Sequence, residues 1–124
     1  MNETRALVSV VDDDESVRES LPDLLKVCGY RVEAFASAEA FLASAFVAQT
    51  SCLILDVAMP GMSGPDLQRE LAVRRWAIPI VFITAHKDET ERPQLLGQGA
   101  VECLFKPFSD SALLDAVARA VRMS

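Results

Sequence analysis

Short apolar runs alternate along the chain with longer amphipathic segments, and this alternation is the main structural signal in the sequence. Such a β-then-α rhythm is typical of a parallel sheet covered by helices on both faces. Nearly continuous apolar character in the first, third and fourth runs indicates strands that are buried on both sides. The predicted strands are Leu7–Val11, Arg31–Ala36, Cys52–Leu55, Ile80–Thr84 and Val101–Phe105.

The amphipathic segments predict five helices with recognisable end signals. Ser37, Ser63 and Ser109 directly precede three of them, where a serine side chain can accept an N-cap hydrogen bond. Gly29 is placed to end the first helix, whereas Pro22 lies inside it and predicts a kink. The predicted ranges are about Ser16 to Cys28, Ala38 to Ala45, Gly64 to about Arg75, a short fourth helix that begins near Arg92 or Pro93, and a fifth helix from its Ser109 cap to about Arg122.

Five strands and five helices in alternation fill the chain. We therefore predict one α/β domain over residues 1–124, a three-layer α/β/α sandwich of the flavodoxin-like type.

Composition and charge narrow the functional classes. A net charge of −6 with scattered basic residues argues against direct nucleic-acid binding, which needs clustered Lys and Arg. No apolar run approaches the roughly 20 residues of a membrane span, and the N-terminus lacks a signal-peptide pattern. Three cysteines, an odd number without a signal peptide, indicate a reducing cytoplasm. We expect Cys28 and Cys52 to be small core residues.

Polar groups follow the C-terminal ends of four predicted strands. Asp12 and Asp13 follow the first strand, Asp56 the third, Thr84 ends the fourth, and Lys106 follows the fifth. Because the C-terminal ends of parallel strands share one edge of the sheet, these side chains can converge there.

This set of groups suits phosphoryl chemistry at a metal. Three crowded carboxylates repel one another unless a cation neutralises them, and oxygen ligands favour Mg²⁺. One carboxylate can then act as a nucleophile towards a phosphoryl group. Asp56 is the better candidate because it stands alone at the end of a central strand, while Lys106 and the Thr84 hydroxyl could meet the charge on the transferred oxygens.

The same residues resemble the response-regulator receiver domain of the CheY-like superfamily over essentially the whole chain. Two further stretches, Ser37 to Leu42 and Gly99 to Glu102, look most like the FixJ type within it. The segments that carry the resemblance are Val11-Asp12-Asp13, Leu55 to Gly64 with its Asp-x-x-Met-Pro-x-Met-x-Gly motif, Ile83-Thr84-Ala85, Gly99-Ala100-Val101 and Lys106-Pro107-Phe108.

The resemblance implies a sheet of strand order 2-1-3-4-5 and a phosphoacceptor role for Asp56. Thr84 and Lys106 would contact the phosphoryl group, and the Lys106–Pro107 peptide bond would be cis. The chain would be a signalling switch that catalyses only its own phosphorylation and dephosphorylation, not a metabolic enzyme.

The resemblance also implies a metal site. Mg²⁺ would be bound by Asp13, Asp56 and the Ala58 carbonyl, with Asp12 assisting, often through water.

Partners follow from the same resemblance. A sensor histidine kinase or a phosphotransfer protein would supply the phosphoryl group from a phosphohistidine. Homodimerisation would use the surface of the fourth helix, fifth strand and fifth helix. We expect no direct nucleic-acid binding, no membrane contact and a cytoplasmic location.

One residue departs from the family pattern. Receivers usually carry Tyr or Phe three residues before the lysine, and that ring moves inward on phosphorylation. Here the position is Cys103, and Pro93 nearby should shorten or reposition the fourth helix. We hypothesise that the phosphorylation chemistry is intact while its coupling to dimerisation is weak or altered. Redox sensing by Cys103 has no support in the sequence.

Two other functions remain open. A haloacid-dehalogenase-like Mg²⁺ phosphohydrolase shares the sheet and the aspartyl phosphate, and Asp12-x-Asp14 mimics its nucleophile motif. That family needs another acidic pair on a strand after the lysine, but the later acidic residues here, Asp110 and Asp115, fall in a predicted helix. A binding module that no longer accepts phosphate is the third option.

Four further residues receive structural interpretations. His86, near the predicted pocket mouth, is expected to control water access more than to act as an acid or base. Trp76 is expected to pack partly under its loop, and Met59 and Met62 to pack the loop after Asp56.

Overall fold

The computed structural model of the chain describes residues 5–85 and 90–124. Within these ranges strands and helices alternate in the predicted order. The strands are β1 (Leu7–Val11), β2 (Arg31–Phe35), β3 (Thr50–Asp56), β4 (Ile80–Thr84) and β5 (Glu102–Phe105), and the helices are α1 (Glu15–Val27), α2 (Ala38–Leu42), α3 (Gly64–Val73), α4 (Glu91–Gly97) and α5 (Asp110–Met123). A 3-10 turn, Val47–Gln49, precedes β3.

The five strands form one parallel sheet in the order β2-β1-β3-β4-β5. The predicted fold class and strand order are therefore confirmed. The chain places β2 on one side of β1 and β3 on the other, so the direction of strand addition reverses between β1 and β3. The C-terminal ends of these two strands flank that point. Open α/β sheets bind their ligands at that point.

Alternate residues of the central strands pack into two separate hydrophobic layers. Leu53 and Leu55 of β3 face the layer covered by α2, α3 and α4, whereas Cys52 and Ile54 face the layer covered by α1 and α5. Side chains of a strand point alternately to opposite faces, so a strand buried on both sides must be apolar throughout. This explains the continuous apolar runs in the sequence.

The end of α2 and the start of β3 differ from the prediction. α2 ends at Leu42 instead of Ala45, and β3 begins at Thr50 instead of Cys52. Thr50 is buried and its hydroxyl lies 2.7 Å from the Ser9 hydroxyl of β1, which satisfies both polar groups inside the sheet. A hydrogen-bonded polar pair of this kind is invisible to a pattern of apolar residues.

Cys28 contradicts the prediction of a core position. It is exposed and forms the C-cap of α1, donating its backbone N–H to the Leu25 carbonyl at 3.1 Å. The helix ends one residue before it, so the inward face stops at Leu25. Cys52 is fully buried as expected, and burial raises the pKa of its thiol to about 12.

The predicted helix signals are largely confirmed. Ser37, Ser63 and Ser109 each accept an N-cap hydrogen bond from a backbone N–H, and Gly29 follows α1 with a φ of 95°. α1 continues through Pro22, and the kink there stays a prediction.

Pro93 is the third residue of α4, which has seven residues. The N–H groups of a first helical turn have no intrahelical partner, so a proline there removes no helix bond. The expected short fourth helix is thus confirmed, beginning at Glu91. His86 lies outside the described residues. No helix in the described ranges is long and apolar enough to span a membrane.

Candidate functional site

The C-terminal ends of β1 and β3 bring three carboxylates together. Asp12, Asp13 and Asp56 each offer an oxygen, and these oxygens all lie within 4.8 Å of one another. Asp12 is fully buried and Asp56 is only 6 % exposed, whereas Asp13 faces solvent. The cluster therefore combines two desolvated carboxylates with one that water can reach.

Lys106 brings a positive charge to the site. Its Nζ lies 2.9 Å from Asp12 Oδ2 and 3.8 Å from Asp56 Oδ1. Its backbone N–H donates to the carbonyl of Thr84 at 2.8 Å, which ties the end of β5 to the end of β4. Thr84 is only 2 % exposed, and the Lys106–Pro107 peptide bond is cis, as predicted. Four strands thus deliver their polar groups to one edge.

Crowding of like charges shifts the protonation of Asp56. Burial, followed by the neighbouring Asp12 charge, raises its pKa to about 7, and the Asp12 charge outweighs the opposing effect of the Lys106 ammonium. For Lys106, burial alone would lower the pKa, but the hydrogen bond to Asp12 and the charges of Asp56 and Asp12 raise it overall. The lysine therefore stays cationic, whereas Asp56 holds a proton more readily than an exposed aspartate does.

Asp12 is fixed in place by its surroundings. Its Oδ1 accepts the backbone N–H of Asp14 at 2.9 Å, and its carbonyl accepts a hydrogen bond from the Arg18 guanidinium at 3.0 Å. Its own N–H donates to the Phe35 carbonyl at 3.1 Å. One carboxylate oxygen of Asp12 accepts the Asp14 backbone N–H and the other accepts a hydrogen bond from Lys106. Asp12 is therefore oriented before any ligand binds.

Asp14 has a different role from its two neighbours. Its carboxylate accepts the backbone N–H and the hydroxyl of Ser16, at 2.9 and 2.8 Å, and so caps α1. Side-chain hydrogen bonds from Ser16 lower its pKa. The prediction did not identify this cap, although Asp before an amphipathic run is a usual N-cap signal.

The loop after Asp56 is held close to the site by Gly64, the first residue of α3. A Cβ atom on Gly64 would lie 2.4 Å from the Asp56 carbonyl oxygen and 3.0 Å from Val57 Cα. The Gly64 N–H donates to the Val57 carbonyl at 3.0 Å. Only glycine permits this approach of the helix to the strand that carries Asp56.

A second contact to this loop was not foreseen. Glu39 of α2 accepts the backbone N–H of Met62 at 3.1 Å, which anchors the loop beside Gly61, whose φ is 75°. Met59 is buried and Met62 packs against the same core layer, as predicted. Ala58 is exposed in this loop, and its carbonyl as a metal ligand stays a prediction.

Charged side chains connect α4, β5 and α5 on the neighbouring face. Arg92 donates from Nε to the Cys103 carbonyl at 3.3 Å and contacts Glu102 Oε1 at 2.5 Å. Arg119 of α5 reaches the other oxygen of Glu102 at 3.4 Å. The sequence pattern does not predict this network, because its members are far apart along the chain.

Cys103 lies inside the protein in place of the expected aromatic ring. It is 3 % exposed and belongs to the layer that contains Leu95 and Phe82. Burial raises the pKa of its thiol to about 11. A buried thiol that stays protonated is a poor redox centre, which agrees with the absence of support for redox sensing in the sequence.

Comparison with known proteins identifies the family. The model of the response regulator receiver domain matches residues 8–118. The chain belongs to the response-regulator receiver domain family. This receiver domain is 50 % identical over 117 residues to nodulation protein W of Bradyrhizobium diazoefficiens, covering 94 % of this chain and 52 % of that protein. It is 41 % identical over 124 residues to the response regulator protein TmoT of Ectopseudomonas mendocina, covering 100 % and 56 %.

Solved structures agree with this assignment. The receiver domain superposes on the response regulator StyR with a TM-score of 0.90 at 47 % identity, covering 97 % of this chain and 61 % of that one. The structure of FixJ-N gives a TM-score of 0.87 at 37 % identity and covers 98 % of both chains. The chain spans about half the length of the curated relatives it matches.

The phosphohydrolase alternative gains no support. Asp14, which would pair with Asp12 in that motif, caps a helix, and both Asp110 and Asp115 lie in α5. The family assignment instead accounts for the Asp56 motif.

Proposed function

We propose that this receiver domain accepts a phosphoryl group onto Asp56 in a Mg²⁺-dependent reaction. The donor is the phosphohistidine of a sensor histidine kinase or phosphotransfer protein. The observation that carries the proposal is the position of Asp56: its carboxylate lies within 4.8 Å of two others and 3.8 Å from the Lys106 ammonium. Family membership supports the same conclusion.

The donor set fits Mg²⁺. All the candidate ligands are oxygens, and two of the carboxylates are buried next to each other, with the Lys106 ammonium the one that contacts them among the described residues. Asp13, Asp56 and the Ala58 carbonyl would bind the ion, and Asp12, already oriented by Lys106, would assist. When bound, the ion offsets the carboxylate charge and polarises the phosphoryl oxygens.

The transfer itself is a displacement at phosphorus. A carboxylate oxygen of Asp56 attacks the phosphorus, the P–N bond breaks, and its electron pair stays on the imidazole nitrogen of the donor. The product is an acyl phosphate. Lys106 and the Thr84 hydroxyl would contact the phosphoryl oxygens and stabilise the charge that builds on them.

Hydrolysis returns the domain to its resting state. Water attacks the phosphorus, the bond between phosphorus and the Asp56 oxygen breaks, and the carboxylate and inorganic phosphate are released. The domain is therefore a signalling phosphoacceptor and not a metabolic enzyme.

Labelling with radioactive acetyl phosphate tests this function. Asp56→Asn should abolish incorporation, and EDTA should do the same to the unsubstituted domain. Asp14→Asn is the matched control, since it removes an exposed carboxylate two residues from Asp12 but keeps a good N-cap residue. Undiminished labelling of Asp56→Asn would overturn the proposal.

The signal would leave through the surface of α4, β5 and α5. Cys103 is much smaller than the usual aromatic residue, and Arg92 and Arg119 already hold the three elements together through Glu102. We infer that phosphorylation is coupled weakly or in an altered way to homodimerisation on this surface. Sedimentation with and without beryllofluoride measures this coupling. A strong monomer-to-dimer shift would contradict the inference that the coupling is weak or altered.

The remaining expectations concern nucleic-acid binding and cellular location. The net charge of −6 disfavours direct nucleic-acid binding by this domain, and three unpaired cysteines suit a cytoplasmic location.

A further inference from the structure

Glu39, near the start of α2, contacts the loop between β3 and α3. Its Oε2 accepts the backbone N–H of Met62 at 3.1 Å. A Cβ atom on Gly61 would lie 2.9 Å from the same oxygen, so the carboxylate lies directly against the loop at a residue without a side chain. Glu39 therefore links a second helix to the segment that follows Asp56.

Other contacts hold the ends of this loop. The Val57 carbonyl closes it by accepting the N–H of the first residue of α3 at 3.0 Å, and Met59 is buried in the core layer. Among the described residues, the hydrogen bond that ties residues 58–62 to another element is the one from Met62 to Glu39. Without it, the backbone of this stretch would have more conformational freedom.

The same stretch carries a proposed metal ligand, the Ala58 carbonyl. A backbone carbonyl is oriented by the φ and ψ angles of its own segment, and no side-chain rotamer can correct its direction. Mg²⁺ requires a nearly ideal octahedral arrangement of oxygens, so the direction of this carbonyl matters. If folding does not order the loop, metal binding must order it, and the affinity for the ion falls.

The chemistry of the Glu39 contact suits this ordering role. Its acceptor is a carboxylate, and hydrogen bonds to an ionised group are stronger than those between neutral groups. The contact is exposed, so removing the carboxylate leaves no buried polar group unsatisfied and should leave the fold intact. An effect of Glu39 on the metal site can therefore be measured separately from an effect on folding.

We propose that Glu39 is a positioning residue for the Mg²⁺ site. Its hydrogen bond to Met62 holds the loop so that the Ala58 carbonyl is oriented before the ion binds. The inference rests on the proposed function, because it takes Mg²⁺ as the ion of the site. Since coupling between two events is reciprocal, Mg²⁺ binding in turn stabilises the hydrogen bond between Glu39 and Met62.

Titration with Mg²⁺, followed by the NMR shifts of the Asp13 and Ala58 amides, tests this role in three variants. Glu39→Ala should bind Mg²⁺ about fivefold more weakly, the effect of one ordinary hydrogen bond. Glu39→Gln keeps an oxygen acceptor and should stay within about twofold of the unsubstituted domain. Glu70→Ala is the matched control and should also stay within about twofold. Glu70 lines the same surface groove as Glu39 but pairs with Arg74 of its own helix segment, so the variant removes the same charge without touching the loop.

Two further measurements separate positioning from a general loss of structure. In the metal-free domain, the Met62 amide proton should exchange with solvent faster in Glu39→Ala than in Glu39→Gln. At saturating Mg²⁺, acetyl phosphate should label Glu39→Ala at the rate of the unsubstituted domain, because the bound ion then orders the loop.

Three results would overturn the role of Glu39. They are an unchanged Mg²⁺ affinity in Glu39→Ala, an affinity of Glu39→Gln as low as that of Glu39→Ala, and an equal loss of affinity in Glu70→Ala. Failure of the unsubstituted domain to bind Mg²⁺ would instead refute the proposed function itself. The two failures are therefore distinguishable in one set of titrations.

Discussion

The raised pKa of Asp56 makes a quantitative prediction about stability in the absence of metal. In the fold this pKa is about 7, against an ordinary value of 3.8. The folded state therefore holds the Asp56 proton more tightly than the unfolded state does. The stabilisation is fully present below about pH 4 and is lost as the pH rises through about 7.

The magnitude follows from the same two values. About three pKa units correspond to about 4 kcal/mol at 1.36 kcal/mol per unit. The charges of Asp12 and Lys106 contribute to this shift, so part of the free energy belongs to the cluster, and we expect about 2 kcal/mol from Asp56 itself. Asp56→Asn removes the ionisation and should make the metal-free domain more stable than the unsubstituted one at pH 8.

Urea unfolding in EDTA at pH 4 and pH 8 measures this effect. The advantage of Asp56→Asn should be about 2 kcal/mol at pH 8 and should shrink to well under half of that at pH 4. Comparing the two proteins at each pH cancels the titration of groups that are remote from Asp56. Asp14→Asn serves as the control and should show no gain at pH 8, because hydrogen bonds to Ser16 lower the pKa of Asp14. An advantage of Asp56→Asn that is absent at pH 8, or equal at both pH values, would refute the reasoning.

Three further predictions concern Gly64 in the loop after Asp56, the Lys106 ammonium, and Cys103 at the position where receivers usually carry an aromatic ring. Gly64→Ala should lower the free energy of unfolding by about 2–4 kcal/mol, because its Cβ meets the Asp56 carbonyl at 2.4 Å, and urea unfolding measures the loss. Lys106→Met should slow acetyl-phosphate labelling about 10²-fold, as expected for a lost charge donor, and equal rates would contradict its role. Cys103→Phe should increase beryllofluoride-dependent self-association severalfold in sedimentation, provided that circular dichroism shows it folded. Unchanged self-association would show that Cys103 does not limit the coupling of phosphorylation to dimerisation.

The sequence alone determined the architecture and the main members of the site. The apolar runs of β1, β3 and β4 are long enough and continuous enough to indicate buried parallel strands. Since all parallel strands end on one edge, the positions of Asp12, Asp56 and Lys106 behind their strands were sufficient to predict that they meet.

Errors arose where local context outweighs hydrophobicity. Cys28 is apolar and follows the inward spacing of α1, but the helix ends just before it and leaves it exposed. Thr50 is polar, yet it belongs to a buried strand because Ser9 satisfies its hydroxyl. Asp14 is identical in chemistry to Asp12 and Asp13 but caps a helix, and only the direction of its side chain separates the roles.

Tertiary structure alone decided the features that depend on distance between remote residues. The pKa of Asp56 reflects how closely β1, β3 and Lys106 approach, and the Arg92–Glu102–Arg119 network spans three elements. The Gln68 oxygen that lacks a hydrogen-bond partner among the described residues reflects how α3 packs on α4, which the amino-acid type alone does not indicate. Sequence periodicity reports which face a residue takes, whereas electrostatics and hydrogen bonding depend on ångström-scale separations that only packing sets.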